Sequence, residues 1–238
     1  MIKIQGLTKF YGQSPALQDV SLTINRGEVV GLLGLNGAGK TTAIRVLTGY
    51  LMPSSGECSI DGIDVFSRPL EVKGKIGYLP EMPPLYPELT VEDYLHFVAR
   101  LRGVAESDFD AEFTRVIEQT QLGPARRALI RTLSLGYRKR VGLAQALIGE
   151  PPVLILDEPI SGLDPVQIVE VRKLIRTLAG KHTVLLSSHI LAEVSRTCDR
   201  VVIIHRGRLA GELSGDAIHA HLEEKFMQLT REGAEAMR

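Results

Sequence analysis

Residues 34–42 read Gly34-Leu35-Asn36-Gly37-Ala38-Gly39-Lys40-Thr41-Thr42 and follow the apolar run Val29-Val30-Gly31-Leu32-Leu33 without interruption. A buried strand therefore feeds a glycine-rich loop. Gly37 and Gly39 let the backbone close around a polyphosphate with its N–H groups pointing inward, Lys40 sets an ammonium against the outer phosphates, and Thr41 offers a hydroxyl to Mg²⁺. A helix starting near Lys40 adds the positive end of its dipole. The phosphate-binding set is Gly34, Asn36, Gly37, Ala38, Gly39, Lys40, Thr41 and Thr42. A second chemical signal is the apolar strand Val153-Leu154-Ile155-Leu156 ending in Asp157-Glu158. Neighbouring side chains diverge, so Asp157 is assigned to the metal shell and Glu158 to positioning the attacking water as general base.

These residues need a scaffold, and the chain supplies an α/β one. Residues 1–33 alternate apolar and polar in short runs, such as Ile2-Lys3-Ile4 and Val20 to Ile24, and read as antiparallel hairpin strands. A helix to about Thr48 follows the phosphate loop, then strands at Glu57 to Ile60 and Ile76 to Leu79. Pro80, Pro83, Pro84 and Pro87 crowd one loop and stop regular structure there. Thr90-Val91-Glu92-Asp93 matches a helix-capping pattern, and helical spacing from 91 to about 131 reads as an inserted helical lobe. A helical stretch Val141 to Ile148 follows the segment Leu133 to Arg140. α/β alternation returns with Val153 to Leu156, a helix from about Pro165, and strands at Thr183 to Ser187 and Arg200 to Ile204.

The 238 residues suit one α/β domain with a smaller lobe, and 28 basic residues balance 28 acidic ones. With no block of one sign, no nucleic-acid partner is expected. Cys58 and Cys198 stand apart in no metal or redox spacing and read as reduced thiols. His219 and His221 form one alternate pair, too few for a metal site, and read as surface residues of a helix. The basic residues Arg126, Arg127, Arg131 and Arg138 to Arg140 read as a solvated face. No leader pattern or run of membrane-spanning length is present, so the chain is expected in the cytoplasm, with any spanning done by another subunit.

Taken in order, the motifs resemble those of the ATP-binding-cassette ATPases. Ser134 and Gly136 in Leu133-Ser134-Leu135-Gly136-Tyr137 are similar to the family's signature motif, with Leu135 and Tyr137 replacing its third and fifth residues. Ser161-Gly162-Leu163-Asp164 resembles its dimer-communicating loop, Ser188-His189 its switch histidine, and Tyr11 the aromatic that stacks on adenine. Glu81 stands where many members carry a glutamine that contacts Mg²⁺; a carboxylate still ligates through oxygen but cannot donate hydrogen bonds as an amide does.

The resemblance implies a P-loop NTPase core, a mixed sheet with flanking helices, carrying an N-terminal antiparallel β subdomain and an inserted α-helical subdomain. The expected division is 1–89 and 150–213 for the core with the β subdomain, 90–149 for the helical signature subdomain, and 214–238 for a helical tail. It further implies an ATPase subunit that pairs head to tail with a second copy around two Mg-ATP, held by Lys40 and Thr41 of one chain and by Ser134 and Gly136 of the other, with Tyr11 and Asp164 in the nucleotide set. Glu158, His189 and Glu81 form the catalytic group, and Thr41, Glu81 and Asp157 the metal group. An integral membrane permease is the implied partner, placing the chain on the inner face of the cell membrane. Likeness to the drug, lipid, gliding and copper-maturation branch implies export. A non-transport clamp of the same family is the rival reading, weakened by the lack of long heptad insertions or a second cassette. A phosphate-loop kinase would leave the signature and His189 unexplained, and a regulator without turnover is opposed by Glu158.

Overall fold

The computed structural model describes residues 1–235, with side chains described to 229. In chain order, β1 (Ile2–Tyr11) and β2 (Ser14–Ile24) form the hairpin, β3 (Val29–Leu33) leads into α1 (Lys40–Leu47), and β4 (Ser55–Ile60), β5 (Ile63–Asp64) and α2 (Pro69–Lys75) precede β6 (Ile76–Leu79). Helices α3 (Val91–Leu101), α4 (Phe109–Thr120) and α5 (Leu135–Leu147) follow, then β7 (Val153–Leu156), α6 (Pro165–Leu178), β8 (Thr183–Ser188), α7 (Leu191–Thr197), β9 (Arg200–His205), β10 (Arg208–Ser214) and α8 (Asp216–Glu235).

Two sheets result. The smaller is antiparallel in the order β2-β1-β4-β5, and its hairpin shows the burial alternation of a half-covered sheet. The larger runs β10-β9-β3-β8-β7-β6, parallel except for β10 at its edge. β3 therefore belongs to the parallel sheet, not to the N-terminal antiparallel strands. All five of its residues are buried, as a strand covered on both faces requires. Its side chains serve two cores alternately: Val29 and Leu33 face the helices α3 to α8, while Val30 and Leu32 face α1 and the antiparallel sheet. β7 divides in the same way, Leu154 and Leu156 against Val153 and Ile155.

The parallel register decides where the site falls. Leu33 pairs with Ser188 and Leu156 with Leu186, so the loops leaving β3, β7 and β8 emerge along one sheet edge. In open α/β sheets that carboxyl edge is where ligands bind. Thr90 caps α3 by accepting from the Asp93 N–H at 3.1 Å, as the capping pattern predicts. α5 begins at Leu135 rather than near Val141, because Ser134 caps it and the following Leu-Gly-Tyr-Arg-Lys-Arg continues the helix. The edge strand β10 and helix α2 carry weak patterns and are added by the structure. α8 docks through Ile218, Leu222 and Phe226, spaced four apart on one face, leaving His219 and His221 exposed.

Candidate active site

The turn from β3 into α1 is built for close approach. Gly39 has φ 110°, a left-handed conformation, and a Cβ there would lie 2.7 Å from the Ala16 carbonyl oxygen. α1 has no side-chain cap and no acidic residue in its first turn, so its terminal N–H groups are left for an external anion. A cleft of about 570 Å³ opens in front of them, lined by Asn36, Gly37, Gly39, Lys40, Thr41, Thr42, Glu81, Glu158, Ser161 and His189, with Ala16 at its rim. Phosphate-loop and acidic residues that lie over a hundred positions apart in sequence thus share one cavity. Gly34 and Ala38 are buried behind it.

Inside the cleft the side chains form one network. The Lys40 ammonium donates to the carbonyls of Gly34 (2.8 Å) and Leu35 (3.3 Å) and lies 3.3 Å from Glu158 Oε1. The other carboxylate oxygen, Glu158 Oε2, is 2.9 Å from His189 Nδ1. Glu158 is buried and carries φ 47°, a strained setting for a non-glycine residue that turns its carboxylate out of the strand line into the cavity. Ser187 fixes this arrangement from beneath: its hydroxyl donates to Asp157 Oδ1 at 2.6 Å and accepts from the Glu158 N–H at 2.9 Å. Thr41 Oγ1 lies 3.4 Å from Asp157 Oδ1, which brings the proposed metal pair together behind the cleft. Among the described residues no group of three or more His, Cys, Asp or Glu could cage a metal ion by itself. That donor set fits Mg²⁺, which is held by one or two protein oxygens together with substrate phosphates.

Besides Gly34, Ala38 and Asp157 behind it, four of the residues named from sequence lie away from this cleft. Tyr11 ends β1, is 49% exposed, and has the Lys9 ammonium 5.8 Å from its ring centre. Asp164 caps α6, accepting from the N–H groups of Val166 (3.0 Å) and Gln167 (2.9 Å). Ser134 is exposed at the start of α5, whereas Gly136 is buried so tightly that a Cβ would sit 2.4 Å from the Gln167 side chain. Two residues went unread in the sequence. Ser187 reads in sequence only as the end of a strand, although a hydroxyl closing an apolar run beside the acidic strand is a usable signal. Lys139 looked like one of a surface run and is in fact buried, while Arg126, Arg127, Arg131 and Arg138 are exposed and Arg140 pairs with Glu170. Its spacing with Gly136 and Leu143, both buried on α5, would have placed it inward.

A second opening, about 580 Å³, lies between α2, the start of β6 and the ends of α3 and α5. Its walls include Tyr50, Leu70, Tyr78, Leu101, Arg102 and Ile148. Leu70 and Tyr50 are 83% and 82% exposed, unusual for large apolar residues on one rim. Arg102 braces it by donating to the carbonyls of Lys73 (3.1 Å) and Ile76 (2.7 Å).

The sheet order, the glycine-rich turn and the acidic strand end define a phosphate-loop nucleotide hydrolase. The chain belongs to the ABC transporter ATPase family, whose profile matches residues 17–161. It is 39% identical over 227 residues to the bacitracin transport ATP-binding protein BcrA of Bacillus licheniformis, covering 94% of this chain and 72% of that one. Over the same length it is 38% identical to the lantibiotic transport ATP-binding protein SrtF of Streptococcus pyogenes, covering 95% and 96%. A solved ATP-binding subunit of an ABC transporter superposes with a TM-score of 0.87 at 33% identity, covering 97% of this chain and 99% of the other. The chain is thus an ATPase that binds ATP with Mg²⁺. No helix among the described residues is long and apolar enough to cross a membrane.

Proposed function

We propose that this chain is the ATP-hydrolysing subunit of an exporter, working as a head-to-tail homodimer beneath a separate membrane permease. The observation that carries the chemical part is the Glu158 carboxylate, held between the Lys40 ammonium and the His189 ring in the mouth of the phosphate cleft. Arrival of a polyphosphate gives Lys40 a stronger anionic partner than Glu158, which releases Oε1 to accept a hydrogen bond from the attacking water. His189 holds Oε2 and so fixes the carboxylate's orientation. Mg²⁺ supplies charge neutralisation on the phosphate oxygens, with Thr41, Asp157 and Glu81 as the residues that would hold it.

The dimer reading is supported by what the start of α5 presents. Ser134 is exposed at the N-terminus of α5, which it caps, and does not line the cleft of its own chain, so the nucleotide it serves belongs to another copy. Tyr11 would stack on adenine, and the loop Ser161 to Asp164 would lie between the two sites. On this reading residues 90–149 form the signature lobe and 1–89 with 150–213 the nucleotide-binding core. The permease is supported by the apolar rim of Tyr50, Leu70 and Leu101, and by the transport roles carried in the names of the bacitracin and lantibiotic relatives. Such an arrangement places the chain on the cytoplasmic face of the membrane. Replacing Glu158 by Gln tests the chemical core: ATP binding is retained while steady-state hydrolysis falls about 10²- to 10³-fold, the scale of losing one transition-state group. Unchanged turnover would remove Glu158 from this role.

A further inference from the structure

Lys139 lies one turn into α5, three residues beyond Gly136, and is 2% exposed. A buried ammonium is costly unless its donors are met. Its Nζ donates to the carbonyl oxygen of Glu81 at 2.5 Å and to that of Glu158 at 3.0 Å. Burial pulls its pKa down, against the charges of Glu81, Asp157 and Glu158, which face it. The two carbonyls belong to segments 77 residues apart in the chain that both contribute side chains to the phosphate cleft. The Glu81 segment continues into the proline-rich loop, and Gly142, on the next turn of α5, packs beneath Pro83 and Leu79: a Cβ there would meet Leu79 Cδ1 at 2.5 Å and Pro83 Cβ at 3.0 Å. Three pieces of the molecule therefore converge on one side chain.

We propose that Lys139 is a positioning residue for hydrolysis, its ammonium tying the carbonyls of Glu81 and Glu158 to the first turns of α5 so that the loop after β6, the signature helix and the water-positioning carboxylate shift as one unit. This deepens the reading of Glu158 above and rests on it. The contact is made to backbone, so a displacement of the loop at residues 80–87 reaches the strained Glu158 peptide directly rather than through side-chain repacking. A small misplacement of a catalytic group is enough to change rate by one to two orders of magnitude. The lysine stem alone is not sufficient, because the tie consists of its N–H donors.

The test uses the full chain with Lys139→Met, which keeps the stem and removes the donors, and Lys139→Gln, which keeps two N–H donors on a shorter stem. For Lys139→Met we expect kcat to fall about tenfold or more with ATP affinity and KM within about twofold, as a positional loss predicts. Lys139→Gln lies between it and the wild type. Amide hydrogen exchange carries the reading that activity alone cannot: in Lys139→Met, residues 80–87 and 158–163 exchange faster while the interior of α5 keeps its protection. Wild-type kcat and exchange in Lys139→Met overturn the proposal. So does uniform loss of protection through α5 with kcat and ATP affinity falling together, the signature of a residue that only fills space. Glu158→Gln run alongside separates the two readings: wild-type turnover there defeats the role of Glu158, while exchange at residues 80–87 and 158–163 still decides the tie.

Discussion

The phosphate cleft and the start of α5 are both helix N-termini fed by polar loops, yet they differ in where their side chains are engaged. In the cleft, Lys40, Glu158, Asp157, Ser187 and His189 are bonded to one another. At α5 the upper surface, Ser134, Leu135 and Arg138, is exposed, while the underside is anchored by Gly136 against Gln167 and by Lys139 on two carbonyls. The first region is a nearly complete half of a catalytic site. The second is an edge whose exposed residues, among those described, do not line the cleft of their own chain. On the reading we propose, the edge of one copy closes over the cleft of another.

The sharpest way to break that contrast is by mixing. Ser134→Arg disables the edge and Lys40→Ala the cleft, and each alone is expected to lose about 10²-fold or more in hydrolysis, since each removes charge-assisted contacts to phosphate or blocks the approach of the second chain. Mixed together they regain activity, because one of the two composite sites in a mixed pair is intact. Activity of the mixture no higher than that of the better variant would mean that each chain catalyses alone.

A smaller effect is expected at the apolar rim. Leu70→Asp places a charge among Tyr50, Leu101 and Ile148, and should cut recovery of a co-purifying membrane protein about tenfold, as for a lost interface anchor, while ATP hydrolysis by the isolated chain stays within about twofold. Full recovery from solubilised membranes would move the docking surface elsewhere.

The smallest effect lies at the opposite edge of the parallel sheet. Arg200 donates to Glu28 Oε1 at 2.5 Å and to Oε2 at 2.9 Å, tying the entries of β3 and β9. Burial alone would raise the Glu28 carboxyl, but the Arg200 hydrogen bonds and charge, with the Asn25 N–H, outweigh it and hold the group below its ordinary 4.5. Its folded value being depressed, the stabilisation is present above the unfolded value and is lost as pH falls through the folded one. Glu28→Gln should therefore cost about 1–2 kcal/mol at pH 7, read by urea unfolding, and the gap from wild type should narrow at lower pH. ATP affinity should not move, since this edge faces away from the cleft.

Much of the cleft was legible in the sequence because its residues sit at fixed offsets from strand ends. A buried strand followed by the glycine loop placed Lys40 and Thr41; an apolar run ending in two acids placed Asp157 and Glu158; and Ser188-His189, just after the strand read at Thr183 to Ser187, placed His189 by its resemblance to the family's switch histidine. Parallel register then brought these strand ends together, which local pattern could not show. Residues whose role depends on a long-range neighbour were harder to read. Lys139 lay in a run of basic residues whose charge pattern spoke for solvent, and only the helix face facing β6 and β7 draws it inward. Ser187 gains its role from Asp157, thirty positions earlier. β10 and α2 were missed because an exposed edge strand and a seven-residue helix bury too few side chains to impose a period.

The most direct test of an ATP site shared between two chains is the mass in solution of the Glu158→Gln chain with and without Mg-ATP, measured by sedimentation velocity. Hydrolysis being blocked, both nucleotides stay intact between cleft and edge, so a shared site gives one-chain mass without nucleotide and two-chain mass with Mg-ATP, reverting when Ser134→Arg is added. A single-chain mass at saturating, demonstrably bound Mg-ATP would contradict the shared site on which the rest depends.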